Sequence, residues 1–394
     1  MIEPKLRFKA FSDELSHHTL MDIIVEKPSN GIMNRQSDKV TAVKHINVID
    51  MYTDDKIHID ELSYSEYGDT AVEKCNVEIG DIFLTRSSVK ADGIAKSNIL
   101  LDDGIYVYDD HLIRLKVDKN NYIPEFVNDY LASPRFRRQF IVRAKTTAFT
   151  TIGQGDVASC TGDFPSLPEQ QKIAEFLSTI DTVIAKQKET VSAWEERKKG
   201  VMQKLFNQEV RFKADDGSEF PDWEKKKLED VVEFLDGQRK PLEAGQRVSG
   251  KYPYYGASGI IDYVEDYIFD EELILLSEDG ANILDRNYRV CFLAKGKYWV
   301  NNHAHVLRAM DGNVNGFICE QLESFDYRKY NSGGAQPKLN QATCRSIIMN
   351  IPCLAEQQKI ADCLSSLDEI IEKQKATLVA WEELKKGLLQ QMFV

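Results

Sequence analysis

The sequence has no apolar stretch long enough to cross a bilayer. A transmembrane helix needs about 18 or more consecutive apolar residues, and no such run occurs anywhere in the 394-residue chain. The N-terminal segment MIEPKLRFKAF also lacks the apolar core of a signal peptide. We therefore expect a cytoplasmic protein that does not contact a membrane.

Cysteine and histidine are not spaced as in common structural metal sites. The seven cysteines are odd in number and never form a C-x-x-C pair, which argues against a disulfide framework and a thiolate zinc site. His303 and His305 have the spacing of a metal pair on a strand, but no third ligand is evident. The sequence thus predicts no bound metal, and a histidine in such a strand is more typical of a structural group.

Catalytic motifs are missing as well. None of the eleven prolines is adjacent to another, so the Pro-Pro pair in the catalytic loop of adenine and cytosine-N4 methyltransferases is absent. Gly250-Lys251 and Gly296-Lys297 are each followed by tyrosine instead of the Ser/Thr of a Walker phosphate loop. The sequence also lacks G-x-S-x-G, H-E-x-x-H and G-x-G-x-x-G. These absences predict that the chain is not an enzyme.

Positive charge is in deficit, with a formal net charge of −13 at pH 7. Proteins that bind DNA alone usually carry a basic face that contacts many phosphates. One basic cluster does occur, because Arg135, Arg137, Arg138, Arg143 and Lys145 lie within eleven positions. The cluster is either a solvated helix face or a nucleic-acid contact, and the sequence leaves both open.

What the sequence does contain is an internal repeat. Residues 167–206 align without a gap to residues 354–393 at an offset of 187, and 24 of the 40 positions are identical. A second match pairs residues 6–10 with residues 210–214 at an offset of 204. The chain is therefore built from two variable regions, each followed by a near-constant segment.

Both near-constant segments are predicted to be long helices that form a coiled coil. Apolar residues recur at alternating spacings of four and three, which is the period of a coiled-coil seam. A glutamine in each copy occupies a seam position, where it either fixes the register or tilts towards the surface. The residues predicted to form the helix-pair and partner interface are Leu177, Ile184, Gln187, Trp194, Leu364, Ile371, Gln374 and Trp381.

The variable regions are predicted to be α+β modules. Short β-branched or aromatic runs bounded by turn residues are typical of strands, and stretches with helical spacing lie between them. His111 to Arg114 matches His305 to Arg308, so the two modules are predicted to be diverged copies of one fold. The predicted division of the chain is module 1–165, helix 166–208, module 209–352 and helix 353–394.

The chain resembles the specificity subunits of Type I restriction–modification enzymes over essentially its whole length. The residues that carry the resemblance are Glu169–Ala174, Glu356–Ala361, Gly80–Ile82 before Arg86, Ser277–Ala281 and Trp299–His305. The resemblance implies two target-recognition domains, each reading half of a bipartite double-stranded DNA site, separated by two antiparallel conserved helices. Two modification subunits would bind those helices and methylate adenine, and restriction subunits would cleave. S-adenosylmethionine, ATP and Mg are expected only in these partners, with no cofactor bound by this chain.

Candidate DNA contacts are selected by residue type, with the pairing rules for bases as a guide. Arginine or lysine pairs with guanine, and Asn or Gln pairs with adenine, while a structural or solvated role stays open for each residue. The candidates in the first module are Arg86, Arg114, Arg135, Arg137, Arg138, Lys145 and Gln154. Those in the second are Arg239, Lys240, Arg286, Arg308, Gln336, Lys338 and Asn340.

A different class of function is compatible with the acidic composition. An acidic coiled-coil scaffold that binds proteins, or that mimics DNA, would also have paired modules on long helices. Such a protein would show no salt-sensitive binding to duplex DNA. Turnover by the purified chain with S-adenosylmethionine or magnesium would instead indicate an enzyme.

Overall fold

The computed structural model describes residues 4–53, 55–334 and 336–393. The chain forms two compact units, of which unit 1 comprises Met1–Glu189 with Ala376–Val394 and unit 2 comprises Thr190–Lys375. None of the described helices combines the length and apolar character needed to span a bilayer.

Unit 1 contains short strands and helices whose ends are marked in the sequence by turn residues and prolines. Pro124 and Pro134 each occupy the first turn of a helix, where the missing N–H has no intrahelical partner to lose. The strands are β1 (Ser16–Thr19), β2 (Ser29–Asn30), β3 (Gln36–Ser37), β4 (Val43–Ile46), β5 (Ser63–Ser65), β6 (Ile82–Thr85), β7 (Ser87–Ser88), β8 (Ser97–Ile99), β9 (Ile105–Tyr108), β10 (Leu112–Leu115), β11 (Lys145–Thr146), β12 (Thr150–Thr151) and β13 (Thr161–Phe164). The helices are α1 (Asp69–Cys75), α2 (Pro124–Ala132), α3 (Pro134–Arg143), α4 (Gln154–Ala158) and α5 (Leu167–Phe206), the last of which continues into unit 2.

Unit 2 follows the same plan. Its strands are β14 (Glu224–Lys227), β15 (Val232–Phe234), β16 (Ser249–Gly256), β17 (Gly259–Val264), β18 (Phe269–Asp270), β19 (Leu273–Ser277), β20 (Cys291–Ala294), β21 (Lys297–Val300), β22 (Ala304–Ala309) and β23 (Ile348–Ile351). Its helices are α6 (Asn282–Asp285), α7 (Asn315–Glu323), α8 (Gln341–Arg345) and α9 (Leu354–Met392), the last of which continues into unit 1.

The sheet topology repeats between the units. The order β2-β10-β6-β8 in unit 1 has a counterpart in β15-β22-β19-β20 of unit 2, and the pair β1-β13 has a counterpart in β14-β23. Unit 1 also has the sheets β3-β5-β4-β9 and β11-β12-β7, and unit 2 has β17-β16-β21-β18. Two α/β domains joined by long helices are therefore confirmed, and β-branched or aromatic runs form strands in both modules, such as β6, β10, β19 and β21.

The two long helices pair in an antiparallel sense within each unit. In unit 1, Lys385 forms an ion pair with Asp181, and Lys188 lies 3.5 Å from Glu382. In unit 2, Lys198 lies 2.6 Å from Asp368, and Lys375 lies 3.0 Å from Glu195. In both units, the residue number on α9 falls as the residue number of its partner on α5 rises, so the two helices are antiparallel. The two sets of ion pairs are equivalent by the 187-residue offset of the repeat. The pair of Asp181 with Lys385 corresponds to Asp368 with Lys198, and the pair of Lys188 with Glu382 corresponds to Lys375 with Glu195.

The seam residues of the helices are at least partly buried, and several belong to the cores of the units. Leu177 and Ile184 are in the main core of unit 1, against which Trp381 packs. Leu364 is in the main core of unit 2, and Ile371 is 5% exposed. The partly buried members of the predicted set are Gln187, Trp194, Gln374 and Trp381.

Replacing Lys198 tests the contribution of the buried charges in unit 2. The Lys198 Nζ contacts Asp368 and lies 3.0 Å from Glu320. We expect Lys198→Ala to lower the free energy of unfolding by roughly 3 kcal/mol in urea titrations, since breaking a buried pair leaves carboxylates short of a cation. The effect falls at the low end of the range because Arg289 still lies 3.5 Å from Asp368 and 2.5 Å from Glu320, and the Asp368 side chain is 39% exposed.

Lys199→Ala is the matched control for this measurement. The Lys199 side chain is 77% exposed, and its ion pair with Glu196 spans 3.8 Å. We expect no measurable change, because exposed ion pairs contribute little. Equal effects of the two substitutions would contradict a buried pair at Lys198.

Candidate nucleic-acid interface

A small sheet in unit 1 presents basic and aromatic side chains to solvent. Lys145 on β11 pairs with Thr151 on β12, which pairs with Ser87 on β7, directly after Arg86. Arg86 and Lys145 are exposed. We call this sheet, with residues 86–88 and 145–151, the unit 1 hairpin surface.

Phe149 lies at the turn between β11 and β12 and is 56% exposed. The turn is closed by a 3.1 Å hydrogen bond in which the Thr147 N–H donates to the Phe149 carbonyl. An exposed phenylalanine beside cations can stack on a base or contact a thymine methyl group. The sequence prediction missed Phe149, although the 187-residue offset of the repeat pairs it with the predicted contact Gln336.

The basic cluster on α3 is largely occupied by internal contacts. The Arg135 guanidinium lies 2.7 Å from the Asp163 carboxylate. Arg137 donates to the carbonyls of Ala95 and Asp92, each at 2.6 Å, and burial lowers the pKa of this guanidinium. Arg138 is exposed. The cluster therefore mainly holds the fold, and Arg138 with Lys145 presents its charge to solvent.

Arg114 has a role in the core of unit 1 instead of the predicted contact with DNA. It is 4% exposed, donates to the carbonyls of Cys75 and Asn76, and forms an ion pair with Glu26. A buried guanidinium with these partners cannot reach a base edge. Gln154, the remaining candidate of unit 1, is partly buried on α4 with its amide against Asn30.

Two segments of unit 2 carry most of its candidates. One is residues 236–240, which we call turn 236–240, and the other is the described residues 331–334 and 336–340, which we call loop 331–340. In turn 236–240, Lys240 is exposed, and its carbonyl accepts a 2.6 Å hydrogen bond from the Trp299 indole. Arg239 is largely buried and donates to Glu278 at 2.7 Å and to the Ala304 carbonyl at 2.8 Å. In turn 236–240, Lys240 is therefore accessible to solvent, whereas the Arg239 side chain binds other residues of unit 2.

Loop 331–340 exposes Gln336 and Lys338. The Lys338 ammonium lies 3.5 Å from Glu278, which also binds Arg239 of the turn. Asn340 caps α8 by accepting a 2.8 Å hydrogen bond from the Thr343 N–H. Glu278 thus has contacts with cations of both segments.

Arg286 and Arg308 are occupied by carboxylates of unit 2. Arg286 lies 2.9 Å from Glu323. Arg308 lies 2.6 Å from Glu271 and 2.8 Å from Glu233. A DNA phosphate or base would have to compete with these ion pairs.

The histidines of the predicted strand bond to separate carboxylates. His303 Nδ1 lies 2.9 Å from Asp279 Oδ1, and His305 Nδ1 lies 2.7 Å from Asp236 Oδ2. Burial by itself lowers the pKa of His305, but hydrogen bonds to Asp236 and Cys344 raise it to about 10. His305 is buried beside its carboxylate, whereas the His303 side chain is 51% exposed, so the two rings bind separate carboxylates and do not form a shared metal site.

Comparison with known proteins identifies the family. A family model for the Type I restriction modification DNA specificity domain matches residues 24–192 and 221–380. The putative Type I restriction enzyme MjaX specificity subunit of Methanocaldococcus jannaschii is 26% identical over 93% of this chain and 90% of its own length. The putative specificity subunit S.HindORF215P of Haemophilus influenzae is 38% identical, but the match spans 39% of this chain and 38% of that protein.

The fold agrees with a solved structure of the same class. The Type I restriction-modification S subunit from M. genitalium superimposes with a TM-score of 0.62 at 15% identity, covering 100% of this chain and 99% of that one. The two family-model segments span most of the 394 residues. The chain therefore belongs to the DNA specificity subunits of Type I restriction–modification systems, which are non-catalytic.

Proposed function

We propose that this chain recognises a bipartite DNA sequence by reading one half-site with each unit, and that it directs adenine methylation or cleavage by partner subunits. The observation that carries the proposal is the repetition of one topology, since β2-β10-β6-β8 and β15-β22-β19-β20 place related strands in both units. Each unit also has its own family-model segment. Two related modules in one chain are suited to reading two short sequences.

The proposed DNA contacts are the exposed candidates, the exposed Phe149 and two partly buried candidates. In unit 1 they are Arg86, Arg138, Lys145 and Phe149, with the partly buried Gln154; in unit 2 they are Lys240, Gln336 and Lys338, with the partly buried Asn340. Arginine and glutamine suit guanine and adenine, whereas lysine suits phosphate. We assign Arg135, Arg137, Arg239, Arg286 and Arg308 to positioning, because internal carboxylates or carbonyls already accept their hydrogen bonds.

The proposed partners are two modification subunits and, where cleavage occurs, restriction subunits. A chain solved in work on complex assembly of the Type I R-M system has a TM-score of 0.52 to this one at 13% identity. S-adenosylmethionine, ATP and Mg would be bound by the partners, in the cytoplasm. The net charge of −13 supports the proposal that partners supply much of the phosphate contact.

We also propose that the chain is divided at the ends of its long helices, into modules 1–165 and 209–352 and helices 166–208 and 353–394. The main core of each unit includes residues of these helices, such as Leu177 in unit 1 and Leu364 in unit 2. Each module is thus anchored to helical segments of its own unit, and we infer that the helices set the distance between the half-sites.

Substitutions in unit 1 test the proposed DNA contacts. We expect Arg138→Ala and Lys145→Ala each to weaken binding of the assembled complex to all duplexes and to reduce the salt slope of log K by about 1, because each removes one phosphate contact. We expect Arg86→Ala to relax one base position at a cost of about 1–3 kcal/mol. Fluorescence anisotropy over a salt series measures both effects.

Lys225→Ala is the control, because Lys225 is exposed on β14, and the pair β14-β23 contains none of the proposed contacts. Its salt slope should equal that of the wild type. An unchanged slope for Lys145→Ala would refute the unit 1 hairpin surface as a phosphate contact, and an unchanged slope for Arg138→Ala would refute the same role for α3. Absence of any salt-sensitive binding by the wild-type complex would instead favour the scaffold or DNA-mimic class.

Shortening both helices tests whether they set the spacing of the half-sites. Deleting one heptad from each at matched positions, residues 183–189 and 370–376, removes about 10 Å of helix length. We expect the non-specific spacer of the recognised sequence to shorten by about three base pairs, at 3.4 Å each. Mapping methylated adenines in cells that carry either version measures the spacer, and an unchanged spacer would exclude this role.

The aromatic pair on the helices tests the partner interface. Trp194 and Trp381 are matched by the repeat, both are partly buried, and Arg197 stacks on Trp194 at 5.3 Å. We expect Trp194→Ala combined with Trp381→Ala to abolish co-purification of the modification subunits, because large aromatic side chains dominate such interfaces. Circular dichroism would establish that the chain remains folded, and retention of the partners by a folded variant would contradict this interface.

A further inference from the structure

His305 lies on β22 and is 1% exposed, with its ring between turn 236–240 and loop 331–340. Its Nδ1 is 2.7 Å from the Asp236 carboxylate, and its Nε2 is 2.8 Å from the Leu339 carbonyl. Both partners are hydrogen-bond acceptors, so both ring nitrogens must carry a proton. The ring is therefore a buried imidazolium.

Asp236 is ionised in this arrangement, because every neighbour of its carboxylate is a donor. The Val306 N–H donates to it at 2.9 Å and the Gln341 amide at 2.7 Å, in addition to His305. The Arg239 guanidinium lies 3.6 Å away. Asp236 begins turn 236–240, so these donors fix the backbone from which Lys240 extends.

The second ring nitrogen fixes the other segment. Leu339 is buried between Lys338 and Asn340, and its N–H donates to the Glu278 carbonyl at 2.7 Å. Its carbonyl accepts the His305 Nε2–H. One ring thus joins both segments that carry the proposed contacts of unit 2.

We propose that His305 is the positioning residue for DNA recognition by unit 2, and that its doubly protonated ring holds turn 236–240 and loop 331–340 in the mutual geometry needed to read one half-site. The proposal rests on the function proposed above. His305 itself does not touch DNA, because it is buried. Loss of the ring would leave the exposed side chains present but poorly placed, and small displacements of reading groups weaken recognition strongly.

Unit 1 provides the matched control. The repeat pairs His305 with His111, but the His111 side chain is 59% exposed and lies 3.0 Å from both Asp109 and Asp110. These carboxylates lie within two positions of His111, so the ring joins no distant segments. His111→Gln should therefore leave recognition of both half-sites unchanged.

The experiment uses the full chain in complex with its modification subunits. Methylated-base mapping gives the recognised sequence, and Arg86→Ala marks the half-site read by unit 1. Competition binding with duplexes that carry each single base change then measures discrimination at every position. We expect His305→Gln to reduce discrimination about tenfold in the unit 2 half-site and by less than about twofold in the other.

Gln341→Leu provides a milder second variant, because it removes one donor to Asp236 from a partly buried position. We expect a smaller loss confined to the same half-site. Equal losses in both half-sites, or none in either, would overturn the proposal. A wild-type complex without sequence discrimination would refute the proposed function itself, which separates the two failures.

Nitrogen NMR of the wild-type complex labelled at histidine gives a readout that does not depend on a variant that folds. We expect both ring nitrogens of His305 to remain protonated at pH 8, with His111 in the same spectrum as an exposed reference. A neutral His305 ring at that pH would overturn the proposal even if His305→Gln failed to fold.

Discussion

The fold of each unit depends on a buried carboxylate at the start of its long helix. Glu169 is 1% exposed and Glu356 is fully buried. Arg7 lies 2.7 Å from Glu169, and Arg211 lies 2.7 Å from Glu356. A buried carboxylate without a cation is strongly destabilising, so each arginine must stay in place. This constraint ties the segments around Arg7 and Arg211 to the starts of α5 and α9, respectively.

The next residue of the repeat extends the same attachment. The Gln170 side chain accepts from the Ile123 N–H and donates to the Pro165 carbonyl, and Gln357 makes the equivalent bonds with Val314 and Pro352. α2 and α7 begin directly after Ile123 and Val314. In each copy of the repeat, the glutamate therefore fixes the segment around Arg7 or Arg211, and the glutamine fixes the start of α2 or α7. These contacts explain why the near-constant sequence includes the two polar residues.

The long helices could be predicted because apolar residues recur periodically in the sequence, but the burial of individual charged side chains could not be predicted. The alternating apolar spacing and the 187-residue offset predicted α5 and α9, because a helix repeats its environment along its length. Arginine has no such signal. Arg114 and Arg138 are the same residue type, yet Arg114 is buried among carbonyls and Arg138 is exposed. Strand pairing and helix packing decide which face each side chain occupies. The links of His305 to Asp236 and Leu339 are likewise invisible, because they join residues far apart in the chain.

Internal ion pairing also explains how an acidic chain can read DNA. Carboxylates bind several of the arginines, as in Arg135 with Asp163 and Arg308 with Glu271, so a phosphate would have to compete for these cations. Phosphate contacts supply affinity and its salt dependence, whereas base contacts supply specificity. A module whose arginines are paired internally in this way would contribute less phosphate affinity alone and mainly discrimination. Its affinity would then come mainly from the assembly.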